Sequence, residues 1–299
     1  MIRYYLEELK AKYHYKMRHL TSIKYPIISA IELTNYCNSA CVMCPHRKMT
    51  RKKEHMKFEM FKKIIDEIKD YPQGLIWTHL FGEPLLHPHL FDFIKYAKDV
   101  GIKVGVSTNC MLLNKKMSKK LLDTYLDNII LCLDAYHPNI YEKLRVGLDY
   151  FKVVKNITDF LKLKGDRKKP YIQLQFVKNY LNENEIKLFK FYWKGTKGID
   201  EIRILDSTDW AGQVDKVFDS IGKRKRKPCS VLWHYLAIHS DGNVTICCTD
   251  YDGKIKLGNV NNERLIDIWN GEKLRKLREL QLKGNYINGL CDICNEWRD

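Results

Sequence analysis

The sequence predicts an α/β protein, a partial (βα)6 TIM-like barrel followed by a small C-terminal domain rich in cysteine. Two observations carry this prediction. Six short apolar runs alternate with amphipathic stretches between residues 25 and 206, which is the pattern of parallel βα units. Beyond Asp206 the alternation stops, and glycine, asparagine and cysteine become frequent. Because a closed barrel needs eight such units, six of them predict a barrel that stays open.

The predicted strands are short apolar runs, and the segments between them, such as FEMFKKIIDEIKD, repeat apolar residues at helical spacing. We expect three regions: an N-terminal basic helix over 1–24 that lies against the body of the protein, the barrel over 25–206 and the cysteine-rich domain over 207–299. The six strands are predicted at 27–33, 75–80, 102–107, 128–133, 171–177 and 201–205.

The cysteine-rich domain shows two local patterns. HSDGNVTICC predicts a β-hairpin with its turn at Asp241-Gly242-Asn243, because Asp, Gly and Asn favour tight hairpin turns. ERLIDIWNGEKLRKLRELQLKG, residues 263–284, predicts a single helix.

The composition, with 45% hydrophobic and 29% charged residues among 299, is ordinary for a globular protein. No run of 18 apolar residues is present, so we expect no membrane span, and the N-terminus lacks the apolar core of a secretory signal. We therefore expect a cytoplasmic protein. The net charge of +16 indicates a lysine-rich solvated surface and also fits a phosphorylated or anionic small-molecule substrate. We expect no nucleic-acid partner.

Ten cysteines in such a chain favour metal or catalytic sites over disulfides. Cys37, Cys41 and Cys44 follow the first predicted strand, at the strand edge where parallel α/β folds carry their active sites. On a helix they would share one face, but their polar neighbours and Pro45 argue for a loop around a metal. A zinc ion would need His46 as its fourth ligand, at tight spacing. An iron–sulfur cluster held by three cysteines would instead keep one iron open for a ligand.

The C-x3-C-x2-C loop resembles the cluster-binding loop of the radical S-adenosylmethionine (SAM) superfamily, in which a hydrophobic residue, here Met43, precedes the last cysteine. GEPLLHP, which begins at Gly82, is similar to the GGEP segment of that family, with Phe81 in place of the first glycine. VSTNCMLL is similar to its STNG segment, with Cys110 in place of the glycine. LCLDAYHPNIYEKLRVG is similar to its SLDG…YEKIRGG segment, with Cys132 in place of the serine.

This resemblance implies a [4Fe–4S] cluster on the three cysteines, with SAM bound to its open iron. SAM would be cleaved to a 5′-deoxyadenosyl radical that abstracts a hydrogen atom from the substrate. Arg145 is expected to pair with the SAM carboxylate, and Asp134 to contact ribose or substrate; both are our candidate catalytic residues. The alternative for Asp134 is a helix N-cap. The residues expected to bind SAM are Met43, Gly82, Glu83, Pro84, Ser107, Asn109, Asp134 and Arg145.

A second cysteine group near the C-terminus has enough thiols for a zinc ion or for a fully ligated cluster. Its surroundings resemble the SPASM domain that follows many radical SAM cores, in the shortened twitch form of the 2-deoxy-scyllo-inosamine dehydrogenases. The resemblance implies one auxiliary [4Fe–4S] cluster. Cys248 is an alternative to its neighbour Cys247, which the G-x4-C register of the family favours. The four expected ligands are Cys229, Cys247, Cys291 and Cys294.

Together these features predict a radical SAM oxidoreductase that oxidises a hydroxylated small molecule, such as a sugar, a cyclitol or a nucleotide-linked sugar. The auxiliary cluster would accept the electron, and a flavodoxin or ferredoxin would supply the reducing electron. The alternatives are a peptide-modifying enzyme or an epimerase, and a non-catalytic iron–sulfur or zinc protein. Net oxidation needs a base near the substrate. The candidates for that base are His79, His87, Asp206, Asp209 and Arg145.

Overall fold

The structure is a computed structural model that describes residues 2–214, 226–286, 289–294 and 296–297. Its elements are numbered here in chain order. The strands of the N-terminal region are β1 (Ile27–Ile31), β2 (Leu75–Trp77), β3 (Lys103–Thr108), β4 (Asn128–Cys132), β5 (Tyr171–Lys178) and β6 (Glu201–Asp206). The helices of that region are α1 (Ile2–Lys16), α2 (Phe58–Ile68), α3 (Leu90–Asp99), α4 (Lys115–Leu122), α5 (Pro138–Leu144), α6 (Tyr150–Lys164) and α7 (Ile186–Trp193). The C-terminal elements are α8 (Val231–His234), β7 (Tyr235–Ile238), β8 (Asn243–Thr245), β9 (Gly258–Asn259), α9 (Leu265–Asn270) and α10 (Glu272–Leu282).

Strands β1 to β6 lie side by side in sequence order and pair in parallel, with at least one helix between each strand and the next. This confirms the predicted partial (βα)6 barrel. All six strands lie where the apolar runs predict them, with ends that differ by at most three residues. Their carboxyl ends therefore meet along one edge of the sheet, which is where the first cysteine group begins.

The alternation of side chains along the strands separates the core from the barrel interior. On β5, Ile172, Leu174 and Phe176 are fully buried beneath the helices, whereas Gln175 and Val177 line the interior. The helices cover the other side of the sheet with one apolar face each; on α2 the buried residues are Phe61, Ile64, Ile65 and Ile68, at the spacing of one helical face.

The C-terminal region continues the barrel sheet and, within the described residues, has no sheet of its own. β7 pairs in parallel with β1, so that Ile27 lies opposite Tyr235, and β8 and β9 add antiparallel strands to give a nine-stranded sheet. The hairpin between β7 and β8 confirms the predicted turn, where Gly242 has a φ of +82°. The prediction of one helix over 263–284 is wrong, because extended backbone at Gly271 divides it into α9 and α10.

Helix α1 lies across the amino ends of the strands, on the side of the barrel opposite the cysteine loop. The Tyr4 ring covers Gly74 just before β2, and the Tyr235 hydroxyl at the start of β7 donates to the Glu8 carboxylate at 2.9 Å. Tyr15 stacks edge-on against Trp233. The predicted N-terminal helix thus packs on both the barrel and the C-terminal region, but it ends at Lys16 and not at residue 24, because the backbone becomes left-handed at Arg18 (φ 56°). No helix among the described residues has the length and apolar character needed to cross a bilayer.

Candidate functional site

The carboxyl ends of the barrel strands surround a cavity of about 330 Å³. This volume is within the range of small-molecule and cofactor sites, roughly 300–1,000 Å³. Most of the residues predicted from the sequence to bind the cluster or SAM come together here, although Pro84 and Asp134 do not line the cavity. The predicted residues that do line it are Cys37, Cys41, Met43, Cys44, Gly82, Glu83, Ser107, Asn109 and Arg145.

Gly82 fixes the loop after β2 against the start of the cysteine loop. Its φ is +99°, and a Cβ at this position would lie 2.5 Å from the Thr34 carbonyl oxygen and 2.8 Å from that of Tyr36. No side chain fits this close backbone approach, so glycine is required. The next amide, that of Glu83, donates to the Tyr36 carbonyl at 2.7 Å.

The Glu83 carboxylate joins two of the loops that line the cavity. It is 2% exposed and accepts hydrogen bonds from the Thr108 hydroxyl at 2.8 Å, the Asn109 amide at 2.8 Å and the Leu85 amide at 3.1 Å. Burial raises the pKa of Glu83, and these hydrogen bonds oppose that effect. Glu83 therefore holds the loop after β3 in place from below the cavity.

The loop after β3 is also fixed from the cysteine side. The Asn109 side-chain amide donates to the Asn38 side chain at 2.8 Å, and its oxygen accepts from the Met111 amide at 3.0 Å. Cys110, which stands where the family motif has glycine, is fully buried with a left-handed φ of +63°. Residues with a Cβ are disfavoured in left-handed backbone, whereas glycine adopts it readily. The backbone conformation at Cys110 therefore explains why the family motif has glycine at this position.

Arg145 presents a fixed positive charge to the cysteine loop. Its Nε lies 2.6 Å and its Nη2 2.5 Å from one Asp134 oxygen, and its Nη1 lies 3.7 Å from the Cys41 sulfur. Burial lowers the pKa of Arg145, but the acidic groups around it, first the Asp134 carboxylate and then Cys41, together more than offset this and leave that pKa raised. Arg145 is therefore permanently protonated, which makes it unsuitable as the base.

Asp134 acts through Arg145 and does not face the cavity. Its second oxygen accepts from the Val177 amide at 2.8 Å, and the residue is fully buried. The alternative role of Asp134 as a helix N-cap is wrong, because His137 occupies that position of α5. Asp134 was predicted to contact ribose or substrate. It does not reach the cavity, because both of its carboxylate oxygens accept hydrogen bonds from protein donors.

Among the other candidate bases, His79 lies at the cavity and has a neutral ring. It lines the cavity, its buried Nδ1 has no hydrogen-bond partner in the described part of the chain, and burial lowers its pKa to about 4. His87 has both ring nitrogens occupied by backbone groups and lies outside the cavity. Asp206 lines the cavity but pairs with Lys178 at 2.6 Å, and Asp209 lies outside it.

A buried ion pair that the sequence does not reveal connects the cavity to the C-terminal region. Glu32 is fully buried and accepts two hydrogen bonds of 2.9 Å from the Arg51 guanidinium. The same carboxylate accepts from the Phe81 amide at 3.1 Å and from the Ser240 hydroxyl at 3.1 Å. The segment after the cysteine loop, the loop after β2 and the turn after β7 are thereby held by one carboxylate.

Trp210, which the sequence analysis missed, closes one side of the cavity. Its indole nitrogen donates to the Met43 carbonyl at 2.7 Å, and its ring lies 5.6 Å from that of Phe81. Phe81, the residue that replaces the first glycine of the motif, is therefore part of an aromatic contact. The indole bond means that the backbone carbonyl of Met43, a residue that we expected to bind SAM, already has one partner.

The second cysteine group lines a separate cavity of about 60 Å³. All four predicted ligands line it and pack against the core, while Cys248 lines it with an exposed side chain. Burial raises the pKa of the Cys294 thiol to about 11 and that of Cys247 well above its usual range. Isolated thiolates are therefore disfavoured here unless a positive group neutralises them.

Arg226 caps this smaller cavity and was not predicted. It donates to the carbonyl oxygen of Cys291 at 2.6 Å and to that of Cys294. Its guanidinium carbon lies 4.3 Å from the centre of the Tyr286 ring and 4.8 Å from that of Trp297. Arg226 lies within a lysine- and arginine-rich run, residues 223–227, and nothing in the sequence of that run distinguishes it from its neighbours.

The two groups of thiols fit iron–sulfur clusters. Soft sulfur donors gather around one cavity each, and an arginine lies beside each group, in contact with a cysteine sulfur or with cysteine carbonyls. Positive charge next to buried sulfurs matches thiolate ligands, which are anionic. No three Cys, His, Asp or Glu side chains of the described residues converge closely enough to hold a single metal ion.

The family model of the radical SAM superfamily matches residues 31–180, half of the chain. The chain belongs to this superfamily. The model of SPASM, an iron–sulfur cluster-binding domain, matches residues 229–295. The two matches imply the cofactors of a radical SAM enzyme, namely a [4Fe–4S] cluster with SAM in the barrel and an auxiliary iron–sulfur cluster in the C-terminal domain.

Two curated relatives illustrate what the chain is similar to. It is 23% identical to the S-adenosyl-L-methionine-dependent 2-deoxy-scyllo-inosamine dehydrogenase of Niallia circulans over 89% of this chain and 91% of that enzyme. It is 31% identical to the tungsten-containing aldehyde ferredoxin oxidoreductase cofactor-modifying protein of Pyrococcus furiosus, over 35% of this chain. That second match spans 30% of the Pyrococcus protein, so it concerns only part of that relative.

Solved structures share the fold along nearly the whole chain. BtrN in complex with AdoMet and 2-DOIA has a TM-score of 0.64, at 18% identity, over 92% of this chain and 95% of that chain. Streptococcus suis SuiB bound to its precursor peptide SuiA has a TM-score of 0.70, at 16% identity, over 97% of this chain and 75% of that chain. At these identities the likeness concerns the fold alone.

Proposed function

We propose that this radical SAM enzyme is a dehydrogenase for a hydroxylated small molecule, such as a sugar, a cyclitol or a nucleotide-linked sugar. The observation that carries the proposal is the different construction of its two cysteine sites. The three cysteines of the C-x3-C-x2-C loop line, together with Cys132, a cavity of about 330 Å³, and the four expected auxiliary ligands line, together with Cys248, a cavity of about 60 Å³. The first has room for SAM and a small substrate beside a cluster, whereas the second has room for a closed cluster only.

In this proposal Cys37, Cys41 and Cys44 hold the cluster that binds SAM, and the four C-terminal cysteines hold the auxiliary cluster. When bound, the first cluster and SAM supply the radical that removes a hydrogen atom from the substrate. An auxiliary cluster held by those four cysteines would supply an acceptor for the second electron. The reducing electron comes from a flavodoxin or ferredoxin. The similarity to 2-deoxy-scyllo-inosamine dehydrogenase along most of both chains supports this assignment.

The chain's own residues position the reactants. Asp134 occupies Nε and Nη2 of Arg145 and fixes its orientation, which leaves Nη1, on the side of the cysteine loop, to pair with the carboxylate of SAM. Glu83 keeps the loops after β2 and β3 together, so their backbone groups stay directed at the cavity. Trp210 covers the side of the cavity near Met43 and excludes water there.

His79 is the base in this proposal. A net two-electron oxidation of a carbinol removes a hydrogen atom, a proton and an electron, so a group beside the substrate must accept the proton. His79 lines the cavity, has an unpaired ring nitrogen among the described residues, and is neutral at pH 7 because burial lowers its pKa to about 4.

The test starts from protein reconstituted anaerobically with iron and sulfide. Two [4Fe–4S] clusters correspond to about eight irons per chain. Incubated with SAM and dithionite, the protein should release 5′-deoxyadenosine. A panel of polyols and cyclitols deuterated at the carbinol carbons, beginning with 2-deoxy-scyllo-inosamine, should then transfer deuterium into that product. Absence of 5′-deoxyadenosine would contradict the enzymatic function as a whole. Transfer from deuterated peptides but from no polyol would contradict the substrate class and favour the peptide-modifying alternative.

A further inference from the structure

Helix α1 carries a large apolar face that is exposed to solvent. Positions 2, 5, 6, 9 and 13 lie within one half of the helix, at 100° per residue. All five side chains are large, and contiguous exposed apolar surface of this kind is uncommon on a protein that has no further partner. The residues and their exposed fractions are Ile2 (78%), Leu9 (61%), Tyr5 (60%), Tyr13 (57%) and Leu6 (49%).

The opposite face of α1 is the one that packs on the protein. Ala11 is fully buried, Tyr4 covers Gly74, and Tyr15 contacts Trp233. The core of this protein therefore does not use the exposed face. An amphipathic surface helix normally turns its large apolar residues inward, and α1 has such residues on both sides.

The charges of α1 are arranged around the exposed apolar face. Arg3 and Lys10 lie along one edge of it, and Lys12 and Lys16 along the other. The two acidic residues of the helix lie on the half that faces the protein, where Glu8 accepts from Tyr235 and Glu7 pairs with Lys10. The outward half of α1 thus combines large apolar side chains with positive charge and has no carboxylate.

We propose that α1 docks the enzyme on an anionic lipid surface. A helix that lies in the plane of a bilayer presents an apolar face to the acyl chains and flanking lysines and arginines to anionic headgroups. Lysine stems extend along the apolar surface while their ammonium groups reach the headgroups. A second copy of the helix is a poorer partner, because face-to-face packing would bring Lys12 and Lys16 close to equivalent cations.

This docking leaves the catalytic cavity accessible. α1 crosses the amino ends of the strands, whereas the cysteine loop lies at their carboxyl ends. The enzyme would therefore be oriented with its cavity facing away from the lipid, open to a water-borne substrate and to a reducing protein. The inference does not depend on which substrate is oxidised.

Co-sedimentation of the reconstituted full chain with lipid vesicles tests the proposal. The protein should sediment with vesicles of phosphatidylglycerol and phosphatidylcholine in equal parts, and much less with phosphatidylcholine alone. Leu6→Glu/Leu9→Glu should weaken binding at least about tenfold, because it puts charge into the apolar face. The matched control Tyr125→Glu/Phe151→Glu changes two exposed aromatic residues elsewhere and should bind as the unmodified protein does.

Further variants test the contribution of the lysines to lipid binding, and they distinguish docking through α1 from docking through α7 and from dimer formation. Lys12→Glu/Lys16→Glu should also weaken binding, and Lys115→Glu/Lys116→Glu, with the same change in net charge, should not. Iron content and melting temperature should be unchanged in all variants. No binding to anionic vesicles would overturn the proposal. Loss of binding in Leu188→Glu/Phe191→Glu but not in the α1 variants would assign the contact to α7, and a dimer that requires Leu6 and Leu9 would assign the face to a second copy.

Discussion

The two cysteine sites differ in what surrounds their sulfurs. At the barrel edge, the three cysteines of the C-x3-C-x2-C loop lie beside a cavity of about 330 Å³, and the arginine of this site, Arg145, is held by a buried carboxylate. The C-terminal site has four cysteines around a cavity less than a fifth as large, and its arginine, Arg226, is held by cysteine carbonyls and two aromatic rings. The larger cavity has room for ligands beside the cysteines, whereas the smaller one has much less space beyond the cysteines themselves.

The comparison also shows how each site is made rigid. At the barrel edge, loops from separate strands are tied by buried carboxylates, Glu83 between two loops and Glu32 between three segments. Fully satisfied buried polar networks of this kind hold a unique arrangement. The C-terminal site relies on the packing of its cysteines against the core and on Arg226.

The largest expected effect comes from removing either set of ligands. Replacing Cys37, Cys41 and Cys44 by alanine should abolish 5′-deoxyadenosine formation and leave about half of the eight irons expected from two clusters. Replacing the four C-terminal cysteines should also leave about half of the iron but should preserve SAM cleavage, because the open site is intact. The measurements are iron per chain and 5′-deoxyadenosine per chain after reduction.

Cys248→Ala is the matched control for this experiment, since Cys248 lines the smaller cavity with an exposed side chain. It should keep the full iron content. If the triple variant retained all its iron, or if Cys248→Ala lost half of it, our assignment of ligands would be contradicted.

A smaller effect concerns the protonation of His79 at the barrel cavity; the described residues that line the C-terminal cavity include no histidine. Its pKa is lowered from 6.5 to about 4 by burial. Between these values the unfolded chain binds a proton at this position and the folded protein does not, so stability is full above pH 6.5 and falls as the pH decreases. At pH 5 the loss is at most about 2 kcal/mol, reduced by any water in the cavity.

The melting temperatures of the metal-free protein at pH 7 and pH 5 measure this effect. His79→Gln should reduce the decrease in stability on going to pH 5, and it should retain SAM cleavage while losing substrate oxidation. His89→Gln, which changes an exposed histidine, should leave the pH dependence unchanged. An identical decrease in His79→Gln and in the unmodified protein would show that His79 is not buried as a neutral ring.

Short-range features of the two sites were predictable from the sequence because local backbone chemistry requires them. The cysteine spacing and the hairpin turn at Gly242 are each determined within a few residues, whereas the need for glycine at position 82 comes from the distant Thr34 and Tyr36 carbonyls. The alternation of apolar runs was enough to locate six strands, since a strand buried under helices has few alternatives to an apolar composition. Gly271 shows the limit of the helical pattern, which continues across a residue that ends the helix.

Long-range contacts were not predictable in the same way. Trp210 reaches Met43 across 167 positions of the chain, and Arg226 reaches Cys291 across 65. Asp134 positions Arg145 through a hydrogen bond to its guanidinium, and no local sequence pattern predicts that contact. Glu32 lies in an apolar strand segment, where its charge is tolerated only because Arg51 is folded against it. Each of these residues depends on a partner that the fold, not the local sequence, brings near.

The smallest expected effect, and the finest distinction between the two sites, concerns the reduction potential of the auxiliary cluster. A positive charge and hydrogen bonds near a cluster favour its reduced form, which carries one more negative charge. Arg226 supplies the positive charge, and its bonds to the carbonyls of Cys291 and Cys294 hold the guanidinium beside these cysteines. One nearby charge in partly screened surroundings is worth on the order of 1 to 2 kcal/mol. For a one-electron couple this corresponds to about 40 to 90 mV.

Arg226→Gln should therefore lower the potential of the auxiliary cluster by tens of millivolts, as read from a redox titration followed by electron paramagnetic resonance. The potential of the barrel cluster should not move, which makes it an internal reference. Arg226→Lys keeps the charge but loses the planar fork and the stacking on Tyr286, so its shift should be smaller. Arg264→Gln, an exposed ion-paired arginine of the same region, is the control for a general change in charge. If the reduction potentials of both clusters shifted equally, Arg226 would act only through the net charge of the protein. The two sites would then differ in cavity size and not in how an arginine is held beside them.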